Sequence, residues 1–527
     1  MIQQQQFDAI VIGSGIGGLT VAAILAKFQH KKVLVLEQHF TVGGFTHSFS
    51  RGKFDWDVGL HYVGDMGEGD TGKAVFDYLT DGKLHWQKMP EPFEKFVYPD
   101  FTFAVSGVAD KYQADLIELF PQHSQAIQQY FADLKRAVFW FGAYNMMELF
   151  PAWLQPLLKV ILKYGGGIAR QTTQSYLENH FTDERLKALL VSQWGTYGLP
   201  PAESCFGIHS TIVTHYLKGG WYPVGGAKAI AQGIIPVIER AGGAVITQRK
   251  VTELLIESGV AVGVKAQKTS HPDGDIEQYY GSVVVSDAGA FNTYLKLIPE
   301  SYPLPYRQDI KAFPKGTTAL SLYLGLKDSP EKLGFRGENH WIYETYNHNE
   351  IIQKNCSEQL PQSCYLSFPS LKDPTAESHT AEIIAFTQYD FFQQWSQQRW
   401  RKRDADYREL KTKITQDLLN LVEFHYPGFQ DLVEYAELST PLTVEHFDAS
   451  DRGTIYGIPC IPQRLGKPWV RSRTPIKNLY LTGADTLLLG IMGAMMGGVK
   501  TAGLLKGGFG FFQIMGIIMK EAGKVKS

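Results

Sequence analysis

Apolar residues run almost unbroken through residues 7–12 (FDAIVI), the pattern of a parallel strand buried on both faces. Residues 19–28 (LTVAAILAKF) are rich in helix formers, and residues 32–36 (KVLVL) read as a second strand that ends at Glu37. With the glycines between them, the order is strand, turn, helix, strand. Residues 93–221 are richer in helix-compatible and aromatic residues and show no comparable strand alternation, so they read as a separate, largely helical region. Within it, residues 138–163 concentrate Trp, Phe, Leu and Met, and Pro151 and Pro156 break the run into short pieces.

The pattern changes at Trp221, where YPVGG (222–226) precedes a helical segment over 228–240 and the turn Ala241-Gly242-Gly243. Strands are predicted at 244–247, 251–256 and 260–266, and VVVS (283–286) leads into Asp287-Ala288-Gly289 as a return to the first sheet. Mixed α/β sequence follows over 317–440, and its charged stretch 399–408 reads as a solvated helix face. NLYLT (478–482) is a further buried strand, followed by Gly483-Ala484-Asp485 and a glycine-rich helix.

A chain of 527 residues is too long for one nucleotide fold and predicts two or three interleaved domains. Lys plus Arg (51) nearly balance Asp plus Glu (53), so no net field favours nucleic acid. Cys205, Cys356, Cys364 and Cys460 have no CxxC spacing, which argues against a zinc site, a dithiol centre or a disulfide framework; no metal is expected, and the thiols read as reduced and structural. Residues 1–6 are short and polar, unlike a secretory signal.

Gly13-Ser14-Gly15-Ile16-Gly17-Gly18 fits G-x-G-x-x-G between a strand and a helix. Gly13 permits the tight turn, Gly15 lets backbone approach a pyrophosphate, and Gly18 allows close helix-to-strand packing. The following helix aims unpaired N–H groups at the phosphates, and Glu37 can accept from both hydroxyls of the adenosine ribose. Two further features separate FAD from NAD. Gly43-Gly44 follows Glu37 by six residues, where flavoproteins of the amine oxidase and phytoene desaturase type carry a glycine pair. Leu479 to Leu481, Gly483, Asp485 and the run GIMGAMMGG, including Gly493, resemble those families' second FAD motif.

EQHFTVGGFTHSF, FDWDVGLHYVG, HYLKGGWYPVGG, ERAGGAV and VVVSDAGAFNTY together resemble the retinol saturase family, within the wider group of carotenoid isomerases and bacterial phytoene desaturases. The likeness runs from about Phe7 to about Gly503. It implies an α/β fold: a Rossmann-type FAD-binding domain of the amine oxidase/phytoene desaturase type, with an interleaved α+β and helical substrate domain. The implied FAD-binding parts are 1–92, 222–290 and 471–505; the substrate parts are 93–221 and 291–470; residues 506–527 form an apolar tail. Gly13, Gly15, Gly18, Glu37, Gly43, Gly44, Asp485 and Gly493 carry over as FAD contacts, with Val251 meeting the adenine. Phe45 stands where many relatives have arginine, which leaves the local phosphate contacts open.

The implied reaction saturates one carbon–carbon double bond of a retinoid-like or carotenoid-like polyene in a long apolar tunnel, with hydride to one carbon and a proton to the other. His61 and Tyr62 are the candidate proton donors, with His47 and His215 behind them; a buried structural histidine is the competing reading. With one complete dinucleotide fingerprint, the reductant is open among NADPH, NADH and a separate electron carrier. A redox-neutral isomerase or a desaturase shares the same frame, and a non-catalytic FAD-containing isoprenoid lipid carrier is a third reading.

No run of roughly 18 uncharged apolar residues predicts a spanning helix. Residues 507–519 (GGFGFFQIMGIIM), flanked by Lys506 and Lys520, suit a peripheral anchor on the cytoplasmic side of a membrane, with 140–163 as a second docking surface. Burial in the core or in a dimer interface is the alternative.

Overall fold

The computed structural model describes residues 6–151, 153–271, 274–355 and 361–524. Five parallel strands form the nucleotide sheet in the order Ala244–Ile246, Val33–Leu36, Ala9–Ile12, Val284–Ser286, Leu479–Leu481. Three distant parts of the chain therefore build one sheet, with Ile10 paired to both Leu34 and Val284. The helices Ile16–Gln29 and Gly490–Lys506 pack on it together and contact each other extensively. Both are rich in small residues, which lets their backbones approach closely. Phe7 departs from the strand expected over 7–12: it pairs with Gly281 in a separate four-stranded sheet.

The second domain is organised by a seven-stranded sheet, ordered Val433–Ser439, Thr318–Leu326, His379–Thr387, Ser363–Ser367, Asn339–Tyr343, Glu94–Val97, Thr102–Val105. The last two strands correct the expectation that residues 93–221 lack strands. They form an antiparallel hairpin, and Glu94–Val97 runs parallel to Asn339–Tyr343. Alternation was present in Thr102–Val105, whose residues are exposed and buried in turn, but the segment is short. The rest of 93–221 is helical, led by Ser124–Asn145 and Phe206–His215, which pack together.

The charged stretch 399–408 is solvated as expected at Arg399, Arg401, Lys402, Asp404, Asp406 and Arg408, but only its second half is helical. Residues 399–403 precede the helix, which begins at Ala405 with Asp404 accepting the Tyr407 N–H as its cap. Arg403 is half-buried, with its Nε unpartnered. Cys205, Cys364 and Cys460 are buried free thiols; Cys356 and residues 1–5 lie outside the described residues. Among the described residues no helix is long and apolar enough to cross a membrane.

Candidate active site

The glycine turn closes tightly on itself and on a carboxyl group of the protein. Gly13 has φ +93°, and a Cβ on Gly18 would come 2.4 Å from the Gly13 carbonyl oxygen. A Cβ on Gly15 would come 2.5 Å from Oδ2 of Asp287, and one on Gly17 would come 2.4 Å from the Cα of Gly483. Gly17, an interior position of the motif, is thus where its two distant halves touch. Gly43 bridges to Gly15, and its N–H donates to Ser14 Oγ at 3.0 Å.

Glu37 ends the second strand beside this turn. Its Oε2 accepts from the N–H and hydroxyl of Ser14 (2.9 and 2.7 Å), and its Oε1 accepts from the His39 N–H (2.7 Å). These bonds fix the carboxylate and leave acceptor capacity on Oε1. Asp485 is held likewise, accepting from the Ala290 N–H at 2.7 Å and the Ile458 N–H at 2.8 Å. Gly493 sits at the start of the last sheet-covering helix, where a Cβ would strike the Leu488 carbonyl.

One cavity of about 1330 Å³ takes in Gly13, Gly15, Glu37, Gly43, Gly44, Val251, Asp485 and Gly493, and also His61 and Tyr62. Gly18 packs behind its wall. The glycine cradle, the helix N-terminus and the two fixed carboxylates suit a dinucleotide whose pyrophosphate carries an adenosine ribose on one side and a second hydroxylated chain on the other. Asp287 also faces this cavity, and burial pushes its carboxyl up to about 7, against the pull of the Gly18 N–H. The sequence contained it within VVVSDAG, without a sign that its carboxyl would lie under the glycine turn.

Beyond the cradle the cavity wall is aromatic. Tyr62 stacks on Tyr216 with ring centroids 4.5 Å apart, and Trp341 lies 4.5 Å from Tyr365. Burial holds the Tyr62 phenol well above its ordinary value, so it stays neutral. His61 lies beside Tyr365, and its Nδ1 is 2.8 Å from Oε2 of Glu382, a residue with no exposed surface. The two atoms are close without hydrogen-bond geometry, and His61 lines the cavity.

Behind this wall lies a buried ionic cluster. Lys372, 2% exposed, donates to the His61 carbonyl (2.9 Å), Asn339 Oδ1 (2.5 Å) and Ser367 Oγ (2.6 Å). Burial lowers its ammonium to about 7, while Glu382, Glu94 and Asp57 pull it back up. Glu94 is raised by burial although Gln193 (2.5 Å) and the Trp341 indole (3.0 Å) donate to it. Asp57, pushed to about 6 by burial, accepts from Ser48, Tyr222 and the Ala227 N–H. Such charges are costly to bury unless they compensate one another. No local pattern could have joined Glu382, Lys372 and Glu94, because two separate strands and the helix Pro369–Lys372 bring them together only in the folded chain.

His47 and His215 also line the cavity, but their rings are engaged elsewhere. Both ring nitrogens of His215 are committed, to the Gly64 N–H (2.9 Å) and to Asp65 Oδ2 (3.0 Å), so this histidine ties the end of the helix Phe206–His215 to one loop. His47 bonds the Gly44 carbonyl through Nδ1 and is lowered by burial. Phe45 packs against Gly59, where a Cβ would come 3.0 Å from the ring-bearing carbon.

Residues 11–79 match the NAD(P)-binding Rossmann-like domain family. A putrescine oxidase solved with putrescine bound shares the fold with a TM-score of 0.63 at 15% identity, covering 95% of this chain and 99% of its own. Prolycopene isomerase 1 of an Oncidium hybrid cultivar is 26% identical over 91% of this chain and 80% of its own length. All-trans-retinol 13,14-reductase of Danio rerio is 34% identical over 95% of this chain and 86% of its own. With that identity sustained along nearly the whole length, the chain belongs to the all-trans-retinol 13,14-reductase family.

Proposed function

We propose that this protein is an FAD-dependent oxidoreductase that saturates one carbon–carbon double bond of a retinoid-like polyene. The observation that carries the reading is the continuity of a single cavity from the glycine cradle to the aromatic wall at His61. When bound, FAD would supply the hydride. The chain's own groups do the rest: the turn at Gly13 to Gly18, with Glu37 and Asp485, holds the dinucleotide, and Tyr62, Tyr216, Tyr365 and Trp341 bind the apolar chain and exclude water. His61, beside Glu382, gives a proton to the second carbon.

Redox-neutral isomerisation would use the same acid, so direction is set by experiment. The reduced, FAD-loaded protein is incubated anaerobically with retinol while flavin reoxidation and product mass are followed. A gain of two hydrogens with reoxidation is expected. Unchanged mass with altered retention would replace saturation by isomerisation, and no change in either would remove the enzyme reading for retinol in favour of a carrier.

We also propose peripheral docking on the cytoplasmic face of a membrane. The helix Gly510–Lys524 buries Ile514 and Ile518 in the core but exposes Phe512 and Met519, with exposed Phe509 just before it. Phe512 meets Phe150 at 5.9 Å, near the helix Gln155–Gly165 with exposed Leu157, Val160 and Ile161. Trp153 and Phe139 extend this surface at 79% and 81% exposure, and Val138 and Gly142, beside Phe139, line the cavity. Lys159, Lys163 and Lys506 supply charge for anionic headgroups. The free thiols suit a reducing compartment.

A further inference from the structure

A polar row crosses the seven-stranded sheet directly beside the cavity wall. Glu94 pairs with Asn339, and Ser367 pairs with Glu382. Two residues along those strands, and so on the same face, stand Phe96, Trp341, Tyr365 and Ile384, the last three of which line the cavity. Lys372 reaches the polar row from the end of the short helix Pro369–Lys372. An ammonium has three donors, and Lys372 spends them on neutral oxygens: Asn339 Oδ1 at 2.5 Å, Ser367 Oγ at 2.6 Å and the His61 carbonyl at 2.9 Å. These are not the bonds of an ion pair, although Glu382, Glu94, Asp57 and Glu338 stand near enough to favour its charge.

The third bond reaches an irregular part of the wall. Residues 58–62, between the strand Phe54–Asp57 and the bridge from Val63 to Trp221, have neither helix nor strand structure. A carbonyl there has no ladder to hold it. Lys372 supplies the donor, and its ammonium also lies 6.0 Å from the centroid of the Tyr62 ring, within cation–π range. One buried side chain thus adjoins both candidate proton donors, His61 at its backbone and Tyr62 at its ring. Loss of a proton leaves the amine two donors and a lone pair, which the Ser367 hydroxyl can fill, so the hold on His61 does not require the charge.

We propose that Lys372 is a positioning residue for proton delivery: from behind the wall it fixes the His61 backbone and the Tyr62 ring, and so sets where the His61 imidazole meets the polyene. The inference rests on the saturase reading, in which hydride from the flavin and a proton from His61 add across one double bond. Lys372 stands outside the lining of the cavity. It therefore acts through His61 and Tyr62 and touches no reacting atom. An acid displaced by about 1 Å loses rate while the apolar wall still binds the chain.

The test is a single turnover. FAD-loaded protein, photoreduced without excess reductant, is mixed anaerobically with retinol in light and in heavy water, and flavin reoxidation and product mass are followed. Wild type is expected to give the dihydro product. Lys372→Met is expected to slow reoxidation at saturating retinol about tenfold or more, with half-saturating retinol and flavin absorbance unchanged. Its solvent isotope effect should exceed that of wild type, because proton delivery then limits the rate. Ser367→Ala removes one anchor of the ammonium and keeps its charge; a smaller fall in the same direction is expected, with a wild-type denaturant midpoint, and this variant decides alone should Lys372→Met not fold. A wild-type rate and isotope effect in the folded variants, or a loss confined to retinol or FAD affinity, overturns the role of Lys372 and leaves saturation in place. Wild type that yields no dihydro product removes the saturase reading, and this role with it.

Discussion

His61 and Glu382 meet across the domain, imidazole Nδ1 to carboxylate Oε2 at 2.8 Å, with the carboxylate wholly buried and the imidazole on the cavity wall. Glu382→Gln keeps the shape but removes the carboxylate charge beside the His61 ring. Turnover of retinol by the reduced enzyme is expected to fall about ten- to a hundredfold, with KM and the flavin spectrum unchanged, and His61→Phe to fall at least as far. Wild-type turnover and pH profile in Glu382→Gln would detach the pair from the chemistry.

Asp287 gives flavin binding a pH dependence. Its carboxyl, raised to about 7, is neutral below that pH and becomes anionic as pH rises through it. An anion under the glycine turn repels pyrophosphate, so FAD should bind the apoprotein more tightly at pH 6 than at pH 8, by up to about tenfold. Asp287→Asn should flatten that dependence and match wild type at the acid end. Fluorescence titration of apoprotein with FAD at both pH values measures this, and a flat wild-type profile would contradict it.

Lys500 and Glu148 clip the helical region to the nucleotide domain. Lys500, on the helix Gly490–Lys506, pairs with Glu148 and donates to the Thr486 carbonyl at 2.7 Å; both side chains are buried. Removing one partner strands a buried charge, so Glu148→Gln is expected to cost about 3 kcal/mol. The double change Glu148→Gln with Lys500→Met should recover part of that loss. Denaturant midpoints for the two singles and the double decide it, and additive losses would mean the pair is not coupled.

The exposed apolar surface should carry membrane binding. Co-flotation with vesicles containing anionic lipid is expected for wild type and reduced for Trp153→Ser combined with Phe512→Ser, whose side chains are exposed. Salt should weaken it through the flanking lysines. Wild type that stays wholly in the soluble fraction would exclude docking.

The nucleotide fold was legible because its signals are local. The run at residues 7–12, the turn from Gly13 to Gly18 and the strand ending at Glu37 lie within about thirty residues, and each glycine answers a steric need visible in its neighbours. The short strand Thr102–Val105 was missed because four alternating residues carry little weight against a helix-rich background. The basic stretch before Ala405 is exposed as its charge suggests but is not helical, because the helix starts only at Ala405, capped by Asp404, which charge patterning does not report.

The sequence by itself determined the dinucleotide cradle, the family likeness and the set of polar candidates, because backbone sterics and hydrophobic period act over a few residues. Only the tertiary structure decided which candidate rings are engaged elsewhere. Packing of remote strands, helices and loops sets Glu382 beside His61, commits both nitrogens of His215 to the loop at Gly64 and Asp65, and buries Lys372 near Glu382, Glu94, Asp57 and Glu338. Electrostatic pairing of that kind depends on distance in space, and distance in space between remote segments is what folding supplies.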